Sequence, residues 1–125
     1  MDSPIVPMIS IIDDDDMVRE STETLIQSLG YRTVAFKSAE HFLQSGRVEE
    51  ISCVITDLHM PGLSGLDLQK QLLADGIPTP VIFITAYPEE QFRDRALMAG
   101  AVGFLNKPFT EECLLKCIAA ALRNR

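Results

Sequence analysis

Five polar positions in this chain end apolar runs in a way that invites chemistry. Asp13 and Asp14 follow MISII, Asp57 follows ISCVIT, Thr85 closes VIFIT, and Lys107 comes just after AVGFL. No Ser, Cys or His stands at such a place beside a general base. The nucleophile these runs offer is a carboxylate, which can itself accept a phosphoryl group. Asp57 stands alone after its run and is the candidate nucleophile, whereas the adjacent Asp13 and Asp14 suit a shared cation. Phosphoryl transfer asks a protein mainly to position groups and neutralise equatorial oxygens, and the Lys107 ammonium and Thr85 hydroxyl can do this.

These residues matter only if one scaffold brings them together, and the rest of the chain reads as that scaffold. Met8 to Ile12 is a short run rich in β-branched residues, and so are Ile51 to Thr56 and Val81 to Thr85, while Tyr31 to Phe36 alternates and Ala101 to Leu105 is short and apolar. Between them lie helical patterns. Met17 to Leu29 repeats Val18, Leu25, Ile26 and Leu29 at helical spacing before Gly30. Asp16 is placed to cap this helix, and Ser38 a second one carrying Ala39, Phe42 and Leu43. Ser64 and Asp67 form a capping-box pattern ahead of Leu66, Leu68, Leu72 and Leu73. Pro88, Glu89 and Glu90 suit the start of a helix with Phe92, Ala96, Leu97 and Ala99, running to Gly100. Thr110 caps the last, Glu111 to Leu122, with Leu114, Leu115, Ile118, Ala119 and Leu122 as its stripe.

Five strands that alternate with five helices, and that read as runs buried on both faces, predict a doubly wound α/β domain with a five-stranded parallel sheet. Ligands in such sheets bind outside the carboxyl ends of the strands, where the five polar positions fall. The first and third strands would bring three carboxylates into one shallow site, which is unfavourable without a cation. The donors are all oxygen, and Mg²⁺, which takes one or two carboxylates, waters and phosphate oxygens, is the expected ion. The spaced order of a calcium loop is absent from Asp13 to Asp16, and Asp15 and Asp16 belong to the helix start, outside the metal set.

With 125 residues the chain has room for one domain. Hydrophobic residues make up 46% and charged ones 23%, enough apolar surface to exclude wholesale disorder. A net charge of -7 has the wrong sign for direct nucleic-acid binding. No apolar run is long enough to span a membrane, and Met1 to Pro7, acidic at Asp2 and broken by Pro4 and Pro7, does not fit a signal peptide, so a cytoplasmic protein is expected. Cys53, Cys113 and Cys117 form no CxxC pair. Cys113 and Cys117 are four apart on one helix, but they lack a second ligand pair, and reduced thiols are the plainer reading than zinc.

The segments IIDDDDMVRES, ITDLHMPGLSGLDL, VIFITAY and AGAVGFLNKPF, four motifs in order from Ser10 to Leu122, resemble the receiver domain of two-component response regulators, in particular FixJ-like transcription factors. The resemblance implies a flavodoxin-like fold over residues 1–125, either self-sufficient or, as the FixJ-like likeness favours, the amino-terminal part of a longer regulator. It implies that Asp57 is phosphorylated from a sensor histidine kinase's phosphohistidine, with the domain promoting its own phosphorylation and dephosphorylation rather than acting as an enzyme on other substrates. Asp14 would ligate Mg²⁺ directly, Asp13 through water, and the backbone carbonyl of His59 would complete the protein ligands. Lys107 would contact a phosphoryl oxygen, and its bond to Pro108 would be cis. Thr85 and Phe104 would form the switch, Phe104 turning into the space that Thr85 leaves. The fourth helix, fifth strand and fifth helix would be the output face, with a homodimer or an effector domain outside this chain as its reader. Arg93, Arg95 and Lys116, beside Glu89, Glu90 and Asp94, could register a dimer, although a solvated helix face explains them as simply.

His59 replaces the Asn common at that place in the family; with Tyr87 opposite, it would tune the access of water to the phosphoryl group. Two other readings compete. A hydrolase of the haloacid-dehalogenase kind wants a second acid two residues after the nucleophile, where this chain has His59. An unphosphorylated, receiver-like interaction module would keep the fold and not need Asp57, Thr85 and Lys107 together.

Overall fold

The computed structural model describes residues 6–86 and 89–123. Five strands, β1 (Met8–Ile12), β2 (Arg32–Phe36), β3 (Cys53–Asp57), β4 (Val81–Thr85) and β5 (Gly103–Asn106), form one sheet in the order β2-β1-β3-β4-β5. Every neighbouring pair is parallel. The helices α1 (Asp16–Ser28), α2 (Ala39–Gln44), α3 (Gly65–Ala74) and α4 (Glu90–Met98) fill the four crossovers, and α5 (Glu111–Arg123) follows β5.

Side chains alternate across a strand, so each strand feeds two cores. On one face Ile9, Ile11, Cys53, Ile55, Ile82 and Ile84 pack with Ile26 of α1 and with Leu114, Ile118 and Ala121 of α5. On the other, Met8, Ile12, Val54, Val81 and Phe83 meet Ala39 and Phe42 of α2, Leu68 and Leu72 of α3, and Ala96 of α4. This is the expected doubly wound architecture. The chain leaves β1 toward β2 on one side and returns to β3 on the other, so the crevice of the fold opens at the carboxyl ends of β1 and β3.

Several local expectations shift. Only β1, β3 and β4 are buried throughout; β2 and β5 lie at the sheet edges, where one flank has no neighbour, and are partly exposed. Asp57 is the last residue of β3, paired with Ile84, rather than a loop residue beyond it. β3 starts at Cys53, not Ile51, after a single 3₁₀ turn over Val48–Glu50 that the apolar pattern does not show. The cap of α1 is Asp15, whose carboxylate accepts from the Met17 and Val18 amides at 3.0 and 3.1 Å. Asp16 is instead the first helical residue and pairs with Arg19 at 2.6 Å, because Asp15, one residue earlier, takes the cap. Leu73, Leu97 and Leu115 point outward. Helical spacing of 3.6 lets only one strip of each helix reach the sheet, and Leu72, Ala96 and Leu114 occupy it. The Pro88 helix start lies outside the described residues.

Caps fix where the helices begin. The Ser64 hydroxyl accepts from the Asp67 amide at 3.1 Å and the Asp67 carboxylate from the Ser64 amide at 3.0 Å, the reciprocal box predicted for α3. Ser38 caps α2 through the His41 amide, and Thr110 caps α5 through the Cys113 amide, each at 3.1 Å. Gly30, with φ of 97°, ends α1 in a conformation that side-chain-bearing residues rarely adopt.

Candidate functional site

Three carboxylates converge at the crevice. One oxygen each of Asp13, Asp14 and Asp57 lies within 4.8 Å of the others. β1 delivers the first two: its ladder extends one residue, with the Asp13 amide donating to the Phe36 carbonyl at 3.1 Å, which turns the Asp13 side chain inward to full burial and leaves Asp14 exposed. β3 delivers Asp57 directly opposite. The Leu58 amide donates to the Ile84 carbonyl at 2.9 Å and the Gly65 amide to the Leu58 carbonyl at 3.0 Å, closing the loop that leaves the site.

Lys107 is brought in from the loop that follows β5. Its amide donates to the Thr85 carbonyl at 2.7 Å, and its ammonium donates to Asp13 Oδ2 at 3.0 Å and Asp57 Oδ2 at 3.2 Å. The Lys107–Pro108 peptide is cis, as the resemblance implies. The remaining oxygens of both acids are used by backbone: Asp13 Oδ1 accepts from the Asp15 amide at 2.9 Å, and Asp57 Oδ1 from the His59 amide at 3.2 Å. Arg19 donates to the Asp13 carbonyl at 2.9 Å, holding the β1–α1 turn from outside.

The electrostatics of this cluster are unbalanced. Burial pushes the Asp13 carboxyl above its usual range; the Asp15 amide and Lys107 pull it down by less, and the Asp57 charge adds to the rise. Burial alone would lower Lys107, but its hydrogen bond and charge contact with Asp13, and the charge and hydrogen bond of Asp57, together hold the ammonium above its ordinary value. Three carboxylates against one ammonium leave the site two negative charges in excess. An all-oxygen set with that deficit, one carboxylate still facing solvent, fits a hard divalent cation.

Thr85 is fully buried at the end of β4, in register with Asn106. Phe104, in register with Phe83, lies on the same face of the sheet. Its ring is half-buried, 6.4 Å from that of Phe83, and lines a hollow of about 530 Å³ with Glu89, Glu90, Arg93 and Asn106. His59 is exposed, and its ring meets Phe92 of α4 edge-on at 5.1 Å. Tyr87, its expected counterpart, lies outside the described residues. On the remaining face, Lys116 pairs with Glu112 at 3.1 Å, an exposed contact of little energetic weight. Cys113 is exposed and Cys117 half-buried on α5.

Every strand-end residue singled out by sequence thus lies at the carboxyl edge of the sheet, and Asp13, Asp14, Asp57 and Lys107 converge there. What sequence reasoning missed are helix residues that grip the loops, Arg19 on α1 and Glu40 on α2. Neither ends an apolar run, so periodicity carries no signal for them.

A family profile described as response regulator receiver domain matches residues 9–119. The response regulator protein TodT of Pseudomonas putida is 42% identical over 116 residues, covering 93% of this chain and 51% of that protein. The transcriptional regulatory protein FixJ of Azorhizobium caulinodans is 39% identical over 114 residues, covering 91% of this chain and 54% of the relative. Among solved structures, FixJ-N superposes with a TM-score of 0.88 at 30% identity, with 98% of each chain covered. The chain spans about half the length of the curated relatives it matches.

Proposed function

This chain belongs to the response regulator receiver domain family, with FixJ and TodT among its relatives, and from that premise we propose which of its residues carry the phosphoryl chemistry. An oxygen of the Asp57 carboxylate attacks the phosphorus of a phosphohistidine on a sensor histidine kinase. The new P–O bond forms as the P–N bond breaks, and the imidazole leaves. The observation that supports this reading best is the Lys107 ammonium bridging Asp13 and Asp57, a fixed cation placed to meet an incoming phosphoryl oxygen. Asp13, Asp14, Asp57 and the backbone carbonyl of His59 are the residues that would hold Mg²⁺, which supplies neutralising charge for the phosphoryl oxygens.

Once attached, the phosphoryl group adds about -1.5 to -2 charges and three acceptor oxygens at a buried edge. Thr85 and Lys107 are the donors within the fold that answer it, and Phe104 turns toward the space Thr85 leaves. The hollow beside Phe104 gives that ring room to move. The same site then releases phosphate to water, resetting the domain. In this reading residues 1–125 form a single receiver domain, the amino-terminal part of a longer, cytoplasmic transcription regulator. Its output face, α4, β5 and α5, meets a second receiver or the effector domain.

The deciding experiment is phosphate incorporation from a small phosphodonor with Mg²⁺ present. Wild-type protein is expected to gain an acid-labile phosphoryl group and Asp57→Asn none. Incorporation that survives in the variant would move the nucleophile elsewhere. Wild-type protein that takes up neither Mg²⁺ nor phosphate would make this an interaction module that is never phosphorylated.

A further inference from the structure

We infer that Glu40, on α2, is a positioning residue for the loop between β3 and α3, and so for the cation-facing backbone next to Asp57; the inference rests on the phosphoacceptor reading above. The loop leaves Asp57 and must return to Gly65 with its backbone at a set depth beside the acids. At its near end it is pinned to β4 through the Leu58 amide, and it is closed on itself through the Gly65 amide. Its far shoulder is held from another element: the Leu63 amide donates to Glu40 Oε2 at 3.2 Å, across 23 residues of sequence.

Two further observations mark this contact as built. Gly62 has φ of 77°, and a Cβ there would collide with the Glu40 carboxylate, so the acid occupies space that only a glycine leaves open. The second oxygen, Oε1, is sealed from solvent and meets no hydrogen-bond donor among the described residues. A buried carboxylate oxygen without a donor costs stability, and such departures from good packing chemistry concentrate where function asks for a particular geometry. The Ser38 cap fixes the first turn of α2, and Ala39 and Phe42 anchor the helix in the core. Glu40 therefore grips the loop from a rigid base at the Leu63 amide, four residues downstream of His59.

Two measurements on the full chain test this. One is Mg²⁺ affinity by calorimetry, and the other is hydrogen exchange of the Leu63 amide. In Glu40→Ala the Mg²⁺ affinity is expected to fall about tenfold, the scale seen when an outer partner that orients a metal ligand is removed, and the Leu63 amide to exchange faster. Glu40→Asp keeps the charge but shortens the reach, and should behave like Ala. Glu40→Gln keeps an acceptor at the same length and should restore both readings. Leu43→Ala, on the same helix, loosens packing without touching the loop amide and serves as the purely structural comparison. Wild-type affinity in both Glu40→Ala and Glu40→Asp, or an equal loss in Leu43→Ala, overturns this inference alone. A wild-type protein that binds no Mg²⁺ overturns it together with the phosphoacceptor reading.

Discussion

The two helices that flank β5 are held in opposite ways. α5 runs 13 residues, buries Leu114, Ile118 and Ala121 completely among sheet isoleucines, and starts on the Thr110 hydroxyl. α4 runs 9 residues, buries only Ala96, and has no side-chain cap bond at Glu89. Met98 on α4 is 89% exposed, whereas Ile118 on α5 is 0% exposed. Beyond the core contacts of Ala96 and Phe92, what holds α4 is polar or edge-on: the His59–Phe92 ring contact and long bonds from Gln69 Nε2 to the Ala96 and Ala99 carbonyls at 3.5 and 3.4 Å. Local stability tracks buried apolar contact, so α4 can shift at small cost while α5 stays fixed. In the phosphoacceptor reading proposed above, a phosphoryl group at the crevice would have a helix it can move and another against which that motion is measured.

The sharpest way to break this comparison is to truncate one of these contrasted side chains on each helix. Ile118→Ala is expected to cost about 2–5 kcal/mol in urea unfolding, and Met98→Ala less than about 0.5 kcal/mol. Comparable losses would remove the asymmetry. Native-state hydrogen exchange gives the same contrast without substitution, with α4 amides opening before those of α5.

Next in size is the capping box of α3. Ser64→Ala should cost about 1 kcal/mol, since it removes one of two reciprocal bonds. Asp67 adds a pH signature. Its carboxyl is held below the usual range by the amide and hydroxyl of Ser64, so its contribution is present above pH 3.8 and is lost as pH falls through the lower folded value. Asp67→Asn should flatten that part of the acid-unfolding curve.

The acid cluster predicts the opposite sign. Asp13 has a folded pKa above 3.8, so between that value and its folded one the native state binds more protons than the unfolded chain. Stability of the metal-free protein should therefore fall as pH rises through that window, and Asp13→Asn should remove the fall. Lys107, raised above 10.5, contributes stability that is complete below 10.5 and is lost as pH climbs through its folded value. An acid-side curve that Asp13→Asn leaves unchanged would mean that the buried carboxylate is better compensated than the geometry shows.

The last test concerns the tether between site and helix. His59→Ala or Phe92→Ala removes a ring contact whose geometric bonus is about 0.5–1.5 kcal/mol. Either should alter the lifetime of the phosphorylated form while leaving phosphorylation possible. Identical lifetimes in both variants and wild type would show that α4 is not held through this pair.

Much of this architecture was legible without coordinates. A central parallel strand has helices on both faces, so β1, β3 and β4 appear in the chain as short, mostly apolar runs, and the polar residue that ends each run must lie at the sheet's ligand-binding edge. That argument alone reached Asp13, Asp57, Thr85 and Lys107. Edge strands and helix faces were less legible. Tyr31 to Phe36 does not announce that it is an edge, and Leu73, Leu97 and Leu115 match the helical period as well as their buried neighbours do. Periodicity reports how residues are spaced along an element, whereas exposure depends on what the rest of the fold places opposite.

The sequence by itself determined the order of elements, the α/β class and the residue types delivered to one end of the sheet, because strand and helix periods and caps are local properties of the chain. Only the tertiary structure decided that Lys107 bridges Asp13 and Asp57, that Glu40 grips a loop 23 residues away, and that α4 is loose where α5 is locked. Those are distances between segments far apart along the chain, set by the strand order and by how much apolar surface each helix has to bury.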